Sequence, residues 1–263
     1  MDVLVNGAPV YAHTGGRPVD PAGPVTVLLH GAGMDHTVWV HQSRYLAHRG
    51  QGVLAVDLPG HGRSGGTALD SIDALADWTA AFLDAVGIGT AVLAGHSMGA
   101  LTALHAAARH PARVTGLMLL GVAERMPVHP DLLAAARADD PQAAALIAGW
   151  GFGPAGHVGG HPAPGLALIP DALRLMGRAG PGVLGVDLAA CDAFRAGAAS
   201  AAAVSCPALV IVGEKDRMSP ARAGKALAAL IPGASVTAIA GAGHMMMLET
   251  PVAVSKAMAA FRH

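Results

Sequence analysis

Five stretches of the chain are apolar at nearly every position, without alternation: VTVLLH (Val25–His30), VLAVDL (Val53–Leu58), AVLAG (Ala91–Gly95), VTGLMLLG (Val114–Gly121) and ALVIVG (Ala208–Gly213). A strand with one wet face alternates polar and apolar residues. A run without alternation must be covered on both faces, as in a parallel sheet sandwiched between helices. The segments between these runs have the period such helices need. Leu69–Val86 places Ile72, Leu75, Trp78, Phe82 and Leu83 at three- and four-residue intervals, with Asp70, Asp73, Asp77 and Asp84 between them. Met98–Arg109, Ala221–Leu230 and Val252–Phe261 read the same way, and Val3–Val5 with Pro9–His13 reads as an opening hairpin. The fold class is α/β, a mostly parallel sheet flanked by helices.

The rhythm fails between Gly121 and Pro207. No strand is apparent there, only Ala-rich helical patches at Leu132–Ala148, Leu166–Met176 and Val183–Phe194, and the loose segment GWGFGPAGHVGGHPAPG (Gly149–Gly165). The expected organisation is a core of residues 1–121 and 206–263, with a helical cap or lid of residues 122–205 whose Gly149–Gly165 loop is the part to move.

Net charge is −1 and no basic cluster occurs, so neither nucleic acid nor an acidic membrane surface is an expected partner. Hydrophobic residues make up 52% and charged residues 13%, a globular composition whose sparse exterior charge suits a monomer or a homodimer. The uncharged segments Ala196–Gly213 and Ala226–Met245 are each broken by a proline and read as core strands with their loops. Two cysteines, Cys191 and Cys206, make no disulfide framework, and the first residues lack a signal-peptide pattern; a cytoplasmic location is expected.

Into this frame falls Gly95-His96-Ser97-Met98-Gly99. With 35 glycines and nine serines in 263 residues, roughly 0.16 Gly-x-Ser-x-Gly matches arise by chance, so the pentapeptide alone decides little. Its setting decides more. A buried strand runs in and a helix runs out, the context in which a serine is presented on a tight turn between small residues. A serine hydroxyl needs a base to become nucleophilic. His244 follows a strand-like end and a glycine-rich loop, and Asp216 follows the strand ending at Gly213. Functional groups of open α/β sheets gather at such carboxyl ends. Glu214 and Glu124 are the alternative acids.

These motifs together resemble the α/β-hydrolase fold superfamily, in its serine carboxylesterase and lactonase-like branch, over nearly the whole chain. HGAG (His30–Gly33) is similar to the oxyanion loop, DLPGHGRS (Asp57–Ser64) to the turn after the next strand, GHSMG to the nucleophile turn, GEKDRMSP to the acid loop and GAGHMMMLETP to the histidine loop. The resemblance implies that Ser97 is the nucleophile, His244 the base and Asp216 its orienting acid. It also implies an oxyanion hole from the backbone N–H groups of Ala32 and Met98, a small-molecule acyl substrate, and no cofactor or metal. Met34, Trp39, Met218 and Met245 are the candidates to line an apolar acyl pocket.

His30, His61 and Arg63 read as loop-fixing residues, and His96 as a residue packed beneath the nucleophile turn. His157 and His161 lack the neighbouring ligands of a metal site. A serine, not an aspartate, at position 97 disfavours dehalogenase and epoxide-hydrolase chemistry. HGAGMD departs from the loops of carbon–carbon bond hydrolases and proline iminopeptidases. Hydrolysis of a carboxylic ester, lactone or thioester is the expected reaction. Carbon–carbon hydrolysis, perhydrolase or haloperoxidase-like chemistry, a hydroxynitrile lyase and a non-enzymatic receptor are the alternatives.

Overall fold

The computed structural model describes residues 1–157, 159–160 and 167–261. The chain opens with strands β1 (Asp2–Val5) and β2 (Ala8–His13), joined by Asn6-Gly7. Both turn residues have positive φ, 50° and 81°, the conformation that a two-residue hairpin needs and that Asn-Gly adopts readily. Then follow β3 (Val25–Leu29), α1 (Val40–Ala47), β4 (Gly52–Val56), α2 (Ile72–Ala85), β5 (Ala91–His96), α3 (Met98–Arg109) and β6 (Val114–Leu120). Five helices come next: α4 (Pro130–Arg137), α5 (Gln142–Gly151), α6 (Leu168–Met176), α7 (Val183–Ala193) and α8 (Gly197–Ala203). β7 (Ala208–Gly213), α9 (Ala221–Leu230), β8 (Ser235–Ile239), α10 (Met246–Glu249) and α11 (Pro251–Ala260) complete the fold.

The strands form one eight-stranded sheet in the order β1-β2-β4-β3-β5-β6-β7-β8. β1 and β2 pair antiparallel, β2 meets β4 antiparallel, and every later pairing is parallel. The order reverses beside β3, so the ends of β3 and β5 lie at a switch point, where the connecting loops splay apart and leave a crevice. All residues of β3, β5 and β7 are buried, as their unbroken apolar runs require. Among the described residues no helix is long and apolar enough to cross a membrane.

Two local readings need correction. The patch Leu132–Ala148 is two helices, not one, because Asp139 takes a left-handed conformation (φ 51°) and Pro141 has no N–H to continue the first. Gly197–Ala203, too poor in large side chains to show a periodic face, is the helix α8. Its Ser200 Oγ lies 2.8 Å from His105 Nδ1, and His105 Nε2 lies 3.0 Å from Asp73, so one buried histidine joins α3, α2 and α8.

α3 sits unusually close to the sheet. A methyl group on Gly95 would overlap the Gly99 carbonyl, and one on Gly99 would overlap the carbonyl oxygens of Leu29 and His30. All these obstacles are backbone, which cannot swing aside. Gly95→Ala is therefore expected to reach the upper end of overpacking costs, about 3 kcal/mol or more. Urea unfolding at unchanged slope measures it, and a loss under about 1 kcal/mol would mean that the turn relaxes freely.

Candidate active site

Ser97 is the residue between β5 and α3, and its backbone stands at φ 55°, ψ −116°. A side chain there costs on the order of 1–3 kcal/mol and persists only where the surroundings hold it. The hold is visible: Ser97 N–H donates to Leu120 O at 3.0 Å, and its carbonyl accepts from the N–H groups of Ala100 and Leu101. Behind it, Met98 to Ala107 are all buried. The Ser97 side chain makes no capping bond and is half-buried, so its hydroxyl faces open space.

The loop after β7 carries Asp216. One carboxylate oxygen accepts from the N–H groups of Met218 and Ser219 at 2.9 and 2.8 Å; the other lies 2.8 Å from His244 Nδ1. Both side chains are buried. The carboxylate can only accept, so Nδ1 carries the proton and Nε2 presents a lone pair. His244 Nε2 is buried and has no hydrogen-bond partner among the described residues. The ring lies over Gly121, where a methyl group would come within 3.0 Å of Nδ1 and Cε1. Gly121 directly follows the residue that holds the Ser97 N–H. Ser97, Asp216 and His244 thus follow β5, β7 and β8 at the carboxyl end of one sheet, with Asp216 bonded to His244. Glu214 and Glu124 are exposed.

His96 lies under this group, as its position in the turn suggests. Its Nε2 donates to the His244 carbonyl at 3.0 Å, and burial drives its pKa well below the usual histidine value. His30 is likewise neutral. Its Nε2 accepts from Leu58 N–H, its Nδ1 donates to Gly31 O, and burial and nearby His61 push its pKa down to about 4. Ala32 follows directly and is buried. Met98 is the first residue of α3, where an N–H has no intrahelical acceptor.

A cavity of about 370 Å³ opens at Ser97, lined by Ala32 and Met218 from the core side and by Leu132, Trp150 and Leu188 from α4, α5 and α7. Of the four pocket candidates, Met218 alone lines it. Met34 faces a neighbouring cavity with His61 and Arg178, Trp39 is wholly enclosed in the core, and Met245 is buried behind Gly151. Proximity in sequence to the motifs misled here. The actual lining comes from the inserted helices, whose short apolar positions carry no local signature.

The Gly149–Gly165 segment is bonded to the rest of the fold at its start. Gly151 O accepts from the N–H groups of His244 and Met245 at 2.7 and 3.2 Å, Gly149 O accepts from Arg217, and Gly153 N–H donates to Glu249 at 2.8 Å. Residues 149–153 are therefore bound to the histidine loop. Residues 158 and 161–166, including His161 of the His157/His161 pair, lie outside the described residues. Glu249, which sequence reading passed over, is buried and also accepts from Gly243 N–H at 3.0 Å, next to His244. Asp35, His36 and Asp57 each offer one ligand atom within 4.8 Å of the others. Those atoms are already engaged: Asp35 by Thr37 and Arg178, Asp57 by His36 and Arg63. The cluster has the form of a bonded turn.

Residues 26–257 match the model of the alpha/beta hydrolase family. The chain is 33% identical over 276 residues to the dihydrolipoyllysine-residue acetyltransferase component of the acetoin cleaving system of Pseudomonas putida, covering 97% of this chain and 69% of that protein. It is 32% identical over 212 residues to a pimeloyl-[acyl-carrier protein] methyl ester esterase of Neisseria meningitidis serogroup B, 75% of this chain and 77% of that one. Among solved structures, the enol-lactonase from Burkholderia xenovorans LB400 superimposes with a TM-score of 0.87 at 26% identity, over 98% of both chains.

Glu249 gives this geometry a test. Glutamine keeps its shape but offers one acceptor oxygen where two serve backbone N–H groups, so Glu249→Gln should cost about 1–3 kcal/mol. Burial raises the Glu249 pKa. A raised carboxylate pKa means that the folded state binds the extra proton, so the residue's contribution is largest in acid and declines as pH rises through the raised value. The deficit of the variant, read from denaturant midpoints, should thus be larger in acid than at neutral pH; a deficit growing towards neutral pH would contradict the assignment.

Proposed function

Because the chain belongs to the alpha/beta hydrolase family, we propose that it is a serine hydrolase cleaving a small to medium carboxylic ester, lactone or thioester through an acyl-enzyme on Ser97. The observation that carries this reading is the buried Nε2 of His244, without a hydrogen-bond partner among the described residues and with its Nδ1 proton committed to Asp216, at the same end of the sheet as a half-buried serine on a positive-φ turn. Nε2 takes the Oγ proton as Oγ attacks the carbonyl carbon, and Asp216 stabilises the imidazolium that forms. The N–H groups of Ala32 and Met98 receive the developing oxyanion. The protonated Nε2 then gives its proton to the leaving oxygen or sulfur. Water, deprotonated by the same nitrogen, releases the acid and regenerates Ser97.

Residues 122–205 serve as a cap over a core of residues 1–121 and 206–263, and Leu132, Trp150 and Leu188 select the acyl group. The names of two relatives support the reaction type, since a methyl ester and an enol lactone are both cleaved by attack on a carboxyl carbon. The cavity of about 370 Å³ is at the small end of ligand pockets, which favours short and medium acyl groups.

Ser97→Ala should lower turnover of p-nitrophenyl esters by about 10⁶-fold, because loss of a triad nucleophile removes the covalent route. Retained turnover in that variant would place the chemistry elsewhere. Leu188→Trp, which fills the cavity from the cap side, should abolish hydrolysis of octanoyl and decanoyl esters while acetate survives. Equal loss at all chain lengths would show that the acyl group does not enter there.

A further inference from the structure

Next to the HGAG loop, Asp187 of α7 is almost completely enclosed, and one of its carboxylate oxygens serves two partners. Gly33 N–H donates to it at 2.8 Å, and His61 Nε2 lies 2.8 Å from the same atom. The other ring nitrogen, His61 Nδ1, lies 2.9 Å from the Pro59 carbonyl. Both neighbours of the His61 ring are oxygens that accept. A neutral imidazole has one N–H and would leave a lone pair pointing at one of them. A proton is needed in each of the two gaps, and the Gly33 N–H, which can only donate to Asp187, favours holding them as an imidazolium on His61 and a carboxylate on Asp187.

The surroundings agree. His30, whose ring centroid is 4.9 Å away, has one nitrogen accepting and the other donating, so the positive charge belongs to His61. Asp57 lies on the same side and favours the charged ring. Arg63, Arg178, Asp35 and His36 line the adjoining cavity, with Arg178 paired to Asp35 and His36 to Asp57. The bonds to Asp187 raise the His61 pKa against the opposing effect of burial.

Gly33 is one residue beyond Ala32 and sits at φ 64°, a conformation its neighbours must hold. Resting on the hydrolase reading above, we infer that Asp187 is a positioning residue. It reaches from the inserted helices to hold the oxyanion loop through Gly33, and it does so only while His61 is protonated. When His61 loses a proton, the Nε2–H stays with the Asp187 carboxylate and the lone pair opens at Nδ1 against the Pro59 carbonyl, so the ring backs away from Pro59 and displaces Asp187 with it. The acceptor of the Gly33 N–H then moves, and the direction of the Ala32 N–H moves with it. The sign follows from the raised pKa: the contribution is complete below the ordinary histidine value and is lost as pH rises through the folded one. The oxyanion exists only in the transition state, so the loss falls on kcat and leaves KM nearly unchanged.

The wild-type protein carries the first test. Histidine-labelled and glycine-labelled protein, titrated by nitrogen-15 NMR, should show the His61 ring and the Gly33 amide moving with one midpoint. That midpoint should coincide with an alkaline fall in kcat for a p-nitrophenyl ester. His61→Gln, which keeps an N–H towards Asp187 but cannot titrate, should lose that fall. Asp187→Ala removes the one oxygen that serves both Gly33 and His61, and misplacement of this kind should lower kcat on the order of 10- to 100-fold at nearly constant KM. A Gly33 amide indifferent to His61 titration overturns the inference, whatever the activity. Coupled titration with Ser97-dependent kcat flat across the midpoint also overturns it and leaves ester hydrolysis standing. Absence of any Ser97-dependent turnover would instead overturn the hydrolase reading, with the NMR titration still deciding the link between His61 and Gly33.

Discussion

The geometry of the site rests on one backbone contact, the first turn of α3 against the end of β3. With only hydrogens at Gly95 and Gly99, the helix comes within touching distance of the Leu29 and His30 carbonyls. That approach forces the turn at Ser97 into the left-handed region and aims the start of α3 at the same space that receives the His30–Gly33 loop. Backbone strain of about 1–3 kcal/mol at one residue is small beside the burial of almost an entire helix behind it. A rigid element supplies the hold, and a serine is presented as a result.

Polar bonds do the remaining alignment, and they follow a pattern. Each uses a buried group that can only accept or only donate, so its geometry dictates where protons lie. Asp216 fixes the His244 tautomer, the His244 carbonyl fixes that of His96, and Gly31 with Leu58 fixes that of His30. Several partners are glycine N–H groups: Gly33 for Asp187, and Gly153 and Gly243 for Glu249. Glycine lets a carboxylate come close from a direction that a side chain would block. The helices between β6 and β7 are joined to the rest of the fold by Asp187 at the His30–Gly33 loop and by Gly151 and Gly153 at the loop carrying Gly243 and His244.

Much of this was legible in the sequence. Unbroken apolar runs located β3 to β7 because double-sided burial leaves no other pattern, and the spacing of Met98–Arg109 and Ala221–Leu230 matched α3 and α9 to the residue. The strand-end positions of Ser97, Asp216 and His244 were readable because each lies in a glycine-bearing loop that follows an apolar run. The lining of the cavity was not. Leu132, Trp150 and Leu188 become neighbours of Ser97 only through tertiary packing, and Met34, Trp39 and Met245, adjacent to motifs in sequence, turn towards other parts of the interior. Asp187 and Glu249 were equally hidden, since in sequence each is one acidic residue on a helix.

The bonds that tie the insertion to the core join residues far apart along the chain: Gly33 to Asp187 across 154 positions, His61 to Asp187 across 126, and Gly153 to Glu249 across 96. Contacts of such range close late, after local helices and neighbouring strands have formed, because the intervening chain must first be ordered. The strand and helix around Ser97 are local by comparison. During synthesis the serine turn can therefore form well before the groups that align it. A chain released early, or stalled before β8, carries the serine without His244 or Glu249. On the proposed reading, chemical competence therefore waits for the segment that follows β8.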